Sequence, residues 1–172
     1  SKTLPLLIKV THELGDHVPE IVYKLIPSVW IPNASYLNAV LTNKHITLVI
    51  TTFNLLNSWI IKYLDTLLDE EIRLISVRPL ARGILTDERS RHDSMIQLLV
   101  KNIAKYHHSA SYIPLQVLAV RFVISHPSIL TVVTGMSKVK HLYEILATLN
   151  MFIDKKSFDE IAMVLSESKL EG

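Results

Sequence analysis

Cysteine is absent from the 172 residues, which excludes disulfides and thiolate chemistry alike and fits an intracellular, reducing setting, cytoplasmic or an organellar matrix. Glycine is scarce, at four residues against seven prolines, and no low-complexity run or disorder signature occurs. Charge is scarce too. Asp, Glu, Lys and Arg make up 20% of the chain, below the roughly 25% of an ordinary soluble domain. The formal charge of +2 is too small, and the basic residues too dispersed, for a nucleic-acid partner. The longest apolar stretches are broken by Lys, Asn or Asp well short of the ~20 residues that a membrane span needs. The opening SKTLPLLIKV carries no signal-peptide cleavage pattern.

What remains is an apolar chain, 49% hydrophobic with a mean hydropathy of +0.30. Its length fits one domain, residues 1–172, with enough residues to bury a core. So much apolar character with so little charge points to surface that a protein partner, a second copy or further sequence covers.

Short apolar runs alternate with segments of helical periodicity, the pattern of βα units around a mostly parallel sheet. Strands are predicted at residues 6–10, 29–31, 46–52, 73–77 and 131–134. The run ITLVITT at 46–52 is the most β-branched. Helices are predicted near 19–26, 35–42, from 57 or 58 onward, 93–106, from Pro114 as a first-turn proline, 138–149, and after Ser157, which with Glu160 reads as a capping box. About five strands cannot close an eightfold barrel, which takes ~250 residues.

Three segments carry a resemblance: ITLVITTFNLLN (46–57), LISVRPLARGILTDE (74–88) and PLQVLAVRFVISHPSILTVVTGMSKVKHLYEILATLN (114–150). In this order they resemble the sixth, seventh and eighth strands of aldo-keto reductases with their loops. VTGMSKV is most similar to the L-galactose dehydrogenase branch, and the best-matching region is 46–165. The resemblance implies an α/β fold, an incomplete (β/α) TIM-type barrel of about strands four to eight with their helices. It implies NADP or NAD as cofactor, held by Leu80, Arg82, Gly83, Gly135, Met136, Ser137, Lys138 and Glu144. It also places His12 where the family keeps its active-site histidine. The strands that carry the family's catalytic Asp, Tyr and Lys have no counterpart.

Elementary physics reads the same loops. Phosphate sites in barrels are commonly built after strands seven and eight, and a helix opening at Gly135 and Ser137 would offer free N–H groups and a positive dipole end. Ser137 reads equally as a plain cap, with Lys138 and Lys140 solvated. Two positions depart from the family pattern: Arg78 stands where it reads Ser before Pro-Leu, and Ile145 stands where an Asn follows Glu144. His107 and His108 are adjacent and point apart on a helix end, so no metal site is assigned. The expectation is a degenerate reductase-like domain, non-catalytic and acting as an interaction subunit of a larger complex. The alternative is the C-terminal part of an NAD(P)-dependent oxidoreductase acting on an aldehyde, sugar or sugar lactone.

Overall fold

The structure, a computed structural model, describes residues 28–86, 92–106, 113–136, 138–147 and 153–167. The strand predicted at 6–10, the helix at 19–26 and His12 lie outside these residues. Four strands are described: β1 (Ser28–Trp30), β2 (Leu48–Thr52), β3 (Arg73–Val77) and β4 (Ile129–Val133). They pair in the order β1-β2-β3-β4, every pair parallel. Parallel neighbours need a crossover between them, and helices supply it. These are α1 (Leu37–Thr42), α2 (Leu64–Asp69), α3 (Ser94–Tyr106) and α4 (Leu115–Ile124), followed after β4 by α5 (Val139–Ala147) and α6 (Lys155–Glu167). An α/β arc of sequential parallel strands is part of a TIM-type barrel.

Register sorts the side chains. Val49 lies beside Leu74, and Ser76 lies between Thr51 and Val132, on the face that packs against helices. Val49, Leu74 and Val132 join Leu64 and Leu67 of α2, Leu118 and Phe122 of α4, and Phe158 and Ile161 of α6 in one buried core. Phe122 stacks on Phe158 at 4.7 Å and meets Phe53 at 5.8 Å, so one aromatic line runs from the end of β2 to α6. The other face carries Trp30, Ile50, Ile75 and Thr131 in one row and Thr52, Val77 and Val133 in the next. It is less covered: Trp30 is 42% exposed.

Two buried hydroxyls fasten neighbouring strands at their carboxyl ends. Thr51 Oγ1 donates to Ile31 O at 2.6 Å, and Ser76 Oγ donates to Phe53 O at 2.9 Å. Both satisfy groups that would be costly to bury alone.

Element bounds moved for local reasons. Ile46 donates to Asn43 O in a turn, so β2 starts at Leu48 rather than 46. The helix predicted from 57 or 58 begins with a 3₁₀ turn at Ile61–Tyr63. Pro114 keeps extended ψ and caps α4 from outside its first turn. The cap of α6 is Asp154, whose Oδ1 accepts from Ser157 N at 2.7 Å; Ser157 lies inside the helix.

At the amino end of the sheet, His126 is buried between three elements. Its Nδ1 accepts from Ser128 N–H at 3.2 Å and lies 2.8 Å from Ser128 Oγ, so the proton sits on Nε2, 3.2 Å from Asp65 Oδ1 of α2. The ring also packs on Phe158 of α6 at 5.3 Å. Ser128, His126 and Asp65 thus stand in the order of a hydrolytic triad, but Ser128 is fully buried, away from the loops that follow the strands, and the trio is a fastening. Burial pushes the imidazole below its ordinary 6.5; the hydrogen bond and charge of Asp65 oppose this, Lys155 adds to it and Asp159 opposes it.

With the folded value below the unfolded one, the unfolded chain takes up more protons, and stability falls as pH drops. The melting temperature is therefore expected to hold from pH 8 to about 7 and to fall from about 6.5 downward. His126→Gln flattens that fall. Parallel curves for the two proteins in thermal melts would contradict the assignment.

Candidate functional site

Parallel order brings every strand's carboxyl end to one side, where four connections emerge: from Ile31 after β1, from Phe53 after β2, from Arg78 after β3 and from Thr134 after β4. Ligands of barrel proteins are taken up at this end.

The loop after β3 has the most unusual backbone. Arg78, Ala81 and Arg82 have φ of 57°, 47° and 58°, in the left-handed region that side chains rarely adopt, and Gly83 follows at 88°. A 3₁₀ turn at Ala81–Gly83 results. Its amides are used internally: Ala81 N donates to Arg78 O at 2.9 Å, Gly83 N to Leu80 O at 2.8 Å and Leu85 N to Leu80 O at 3.2 Å. The amides of Ala81, Gly83 and Leu85 are therefore already committed, and this loop meets a ligand mainly through its side chains.

Arg78 is the junction of three connections. Its N–H donates to Val133 O at the end of β4, at 3.3 Å, and its carbonyl accepts from Asn54 Nδ2 of the loop after β2, at 2.9 Å. Asn54 is itself buried. Its Oδ1 accepts from Leu56 N at 2.9 Å, and its backbone exchanges two hydrogen bonds with Asn57, so the asparagine shapes its own loop while holding the next. Nearby in the same loop, Asn57 Oδ1 and Trp59 Nε1 are buried without a partner among the described residues.

The predicted site residues divide. Leu80 packs against the core, while Arg82 is exposed. Gly83 turns the loop. The β4 loop presents Gly135 and Lys138 to solvent, with Met136 half-buried. A Cβ placed on Gly135 meets nothing within 4 Å, so its backbone is open to close approach. α5 begins just beyond, with His141 N donating to Lys138 O at 3.0 Å. Glu144 pairs with Lys140 at 3.6 Å on α5 instead of standing alone. Ile145 is buried in the protein, which accounts for an apolar residue at that position. Ser137 and His12 lie outside the described residues. The bond from Arg78 to Val133 brings the β3 and β4 loops together. The sequence reading gave Asn54 no role; an asparagine just past a β-branched strand was the available signal.

Among the described residues, no group of three or more His, Cys, Asp and Glu side chains stands ready for a metal ion. No helix of the described residues is long and apolar enough to cross a membrane.

The fold and the loops at this end are those of a partial barrel, and comparison with known proteins says of which kind. The model of the Aldo/keto reductase family matches residues 36–166, and the chain belongs to that family. No curated protein matches it. Among solved structures it is similar to aldo-keto reductase AKR11C1 from Bacillus halodurans in its apo form, with a TM-score of 0.66 and 14% identity over 78% of this chain and 49% of that one. An aldo-keto reductase from Klebsiella pneumoniae in complex with NADP and acetate gives a TM-score of 0.55 and 18% identity over 78% of this chain and 46% of the other. The chain thus spans about half the length of the solved relatives it matches.

Asn54→Ala removes the support of two loops at once. It is expected to lower stability by about 1–3 kcal/mol, since it leaves buried groups unpaired. A urea midpoint equal to that of the unmodified chain would show that the loops hold themselves.

Proposed function

We propose that this chain forms the cofactor-phosphate side of an NAD(P)-dependent oxidoreductase acting on an aldehyde, sugar or sugar lactone. The observation that carries the reading is Gly135: its backbone is open on the loop after β4, beside exposed Lys138 and next to the loop that bears Arg78 and Arg82. A phosphate can approach such a backbone closely, with cations around it and the start of α5 behind it. The residues present fit the group. Gly135, Met136, Ser137 and Lys138 would hold one phosphate, and Leu80, Arg82 and Gly83 would flank it. The reduced dinucleotide would supply hydride when bound. His12 takes the role of polarising the substrate carbonyl, on the resemblance alone. The substrate class comes from the similarity of VTGMSKV to L-galactose dehydrogenase-like members of the family.

A second reading has its own support. Val139, Tyr143 and Leu146 lie at helical spacing on α5, and Val139 and Tyr143 are 69% and 68% exposed. Such an apolar stripe suits a protein partner or a second copy, as in a non-catalytic subunit of a complex. Sedimentation of the chain and of Tyr143→Asp separates the two readings, because the subunit reading expects association that the variant loses and the first reading expects no difference.

Gly135→Val tests the first reading. Open space around the residue means the substitution costs the fold less than about 0.5 kcal/mol, while a branched side chain blocks the phosphate. NADP is expected to raise the melting temperature of the unmodified chain and not of the variant. An equal rise in both would remove the phosphate site from this loop.

A further inference from the structure

α5 turns an apolar row away from the protein. Val139, Tyr143 and Leu146 follow one another at steps of four and three residues, which sets them on one side of a helix. Leu146 is 36% exposed, Val139 and Tyr143 are far more open, and the small Ala147 beside them is exposed as well. The far side anchors the helix: Ile145 is buried and His141 is half-buried. The row is thus presented by a helix whose other side is already packed.

Charge on the flank of the row narrows the choice of partner. Val139 is followed by Lys140 and Tyr143 by Glu144, and a step of about 100° around the helix sets both charges on the same flank. They pair with each other at 3.6 Å, with Lys140 largely in solvent. A partner face of one charge sign would meet a like charge at one of the two. A second α5 running the opposite way meets an unlike charge at both. Turned end for end about a twofold axis beside Leu142 and Tyr143, it brings Val139 of each copy to Leu146 of the other. The two Tyr143 side chains then meet near the axis, and Lys140 of each copy comes toward Glu144 of the other. The apolar row and its charged flank are self-complementary, as a twofold interface requires.

We propose that α5 pairs antiparallel with α5 of a second copy of this chain. The inference rests on the reading of this helix as a docking surface, and commits it to one occupant and one geometry. α5 has nine residues, a length of about 13 Å. That is less than an interface of standard size, so the dimer is weak and in exchange with the monomer.

The test uses the full chain. Sedimentation over a concentration series is expected to show a monomer at the dilute end and a dimer at the concentrated end, and Tyr143→Asp is expected to stay monomeric throughout. Lys140→Glu and Glu144→Lys each set like charges across the axis and are expected to weaken the dimer about tenfold. Combining the two exchanges the signs and restores it, an outcome that a loss of folding in either single variant would not give. Because the chain has no cysteine, Tyr143→Cys reports on the axis itself: mild oxidation is expected to link two copies, while Glu70→Cys on the exposed end of α2 does not. A chain that is monomeric throughout the series overturns the proposal. Association that Tyr143→Asp leaves intact removes the whole docking surface. Association that Tyr143→Asp abolishes, but that ignores the charge exchange and gives no Tyr143→Cys link, keeps the apolar row as an interface and overturns the twofold pairing.

Discussion

The rest of the molecule depends on parallel strand pairing. A parallel neighbour cannot follow through a tight turn, so every strand here is separated from the next by a helical crossover. All carboxyl ends then emerge on one side. Thr51 and Ser76 secure that side from within, each sending its hydroxyl to the carbonyl at the end of the preceding strand. The opposite end is secured differently, by His126 between Asp65 and Ser128 with Phe158 against its ring. The amino end of the sheet thus holds a buried histidine with a partner on each ring nitrogen. The other carries left-handed backbone, an open glycine and exposed cations. Barrels divide stability and function between their ends in this way.

The two features of the carboxyl end work together. The loop after β3 has committed the amides of Ala81, Gly83 and Leu85 to itself, so it contributes shape and side-chain charge. The loop after β4 contributes open backbone at Gly135. Arg78 joins them through Val133, and Asn54 reaches across from β2 to fix the junction. A single asparagine therefore couples the geometry of three loops, and a substitution there would be felt at a site it does not touch.

Much of this fold was legible in the residues. β3 matches its predicted bounds, since LISV between charged residues admits one reading. The core spacing of Leu115, Leu118, Ala119, Phe122 and Val123 is that of the observed α4. β4 was placed two residues late because Ser128, beside buried His126, lets the strand begin at Ile129. The capping box at Ser157 was overridden by Asp154, an equally good acceptor three residues earlier. In the sequence Arg78 stands out as a departure from Ser that could itself contact a phosphate. Its left-handed backbone runs against the preference of a residue before proline, and the bond that holds it spans 24 residues, so neither is visible to local pattern. Glu144, a cofactor residue by the resemblance, also has Lys140 one helical turn away on α5 as an ion-pair partner. The family match over residues 36–166 supports the barrel reading and shows the family without a particular branch.

The central claim is that the ligand binds between the loops after β3 and β4. Amide NMR of the full chain titrated with NADP tests it most directly. The account predicts shifts concentrated in residues 54–57, 78–83 and 134–138, with the residues around Asp65 and His126 unmoved. Shifts centred on the amino end of the sheet, or none at saturating nucleotide, would contradict it.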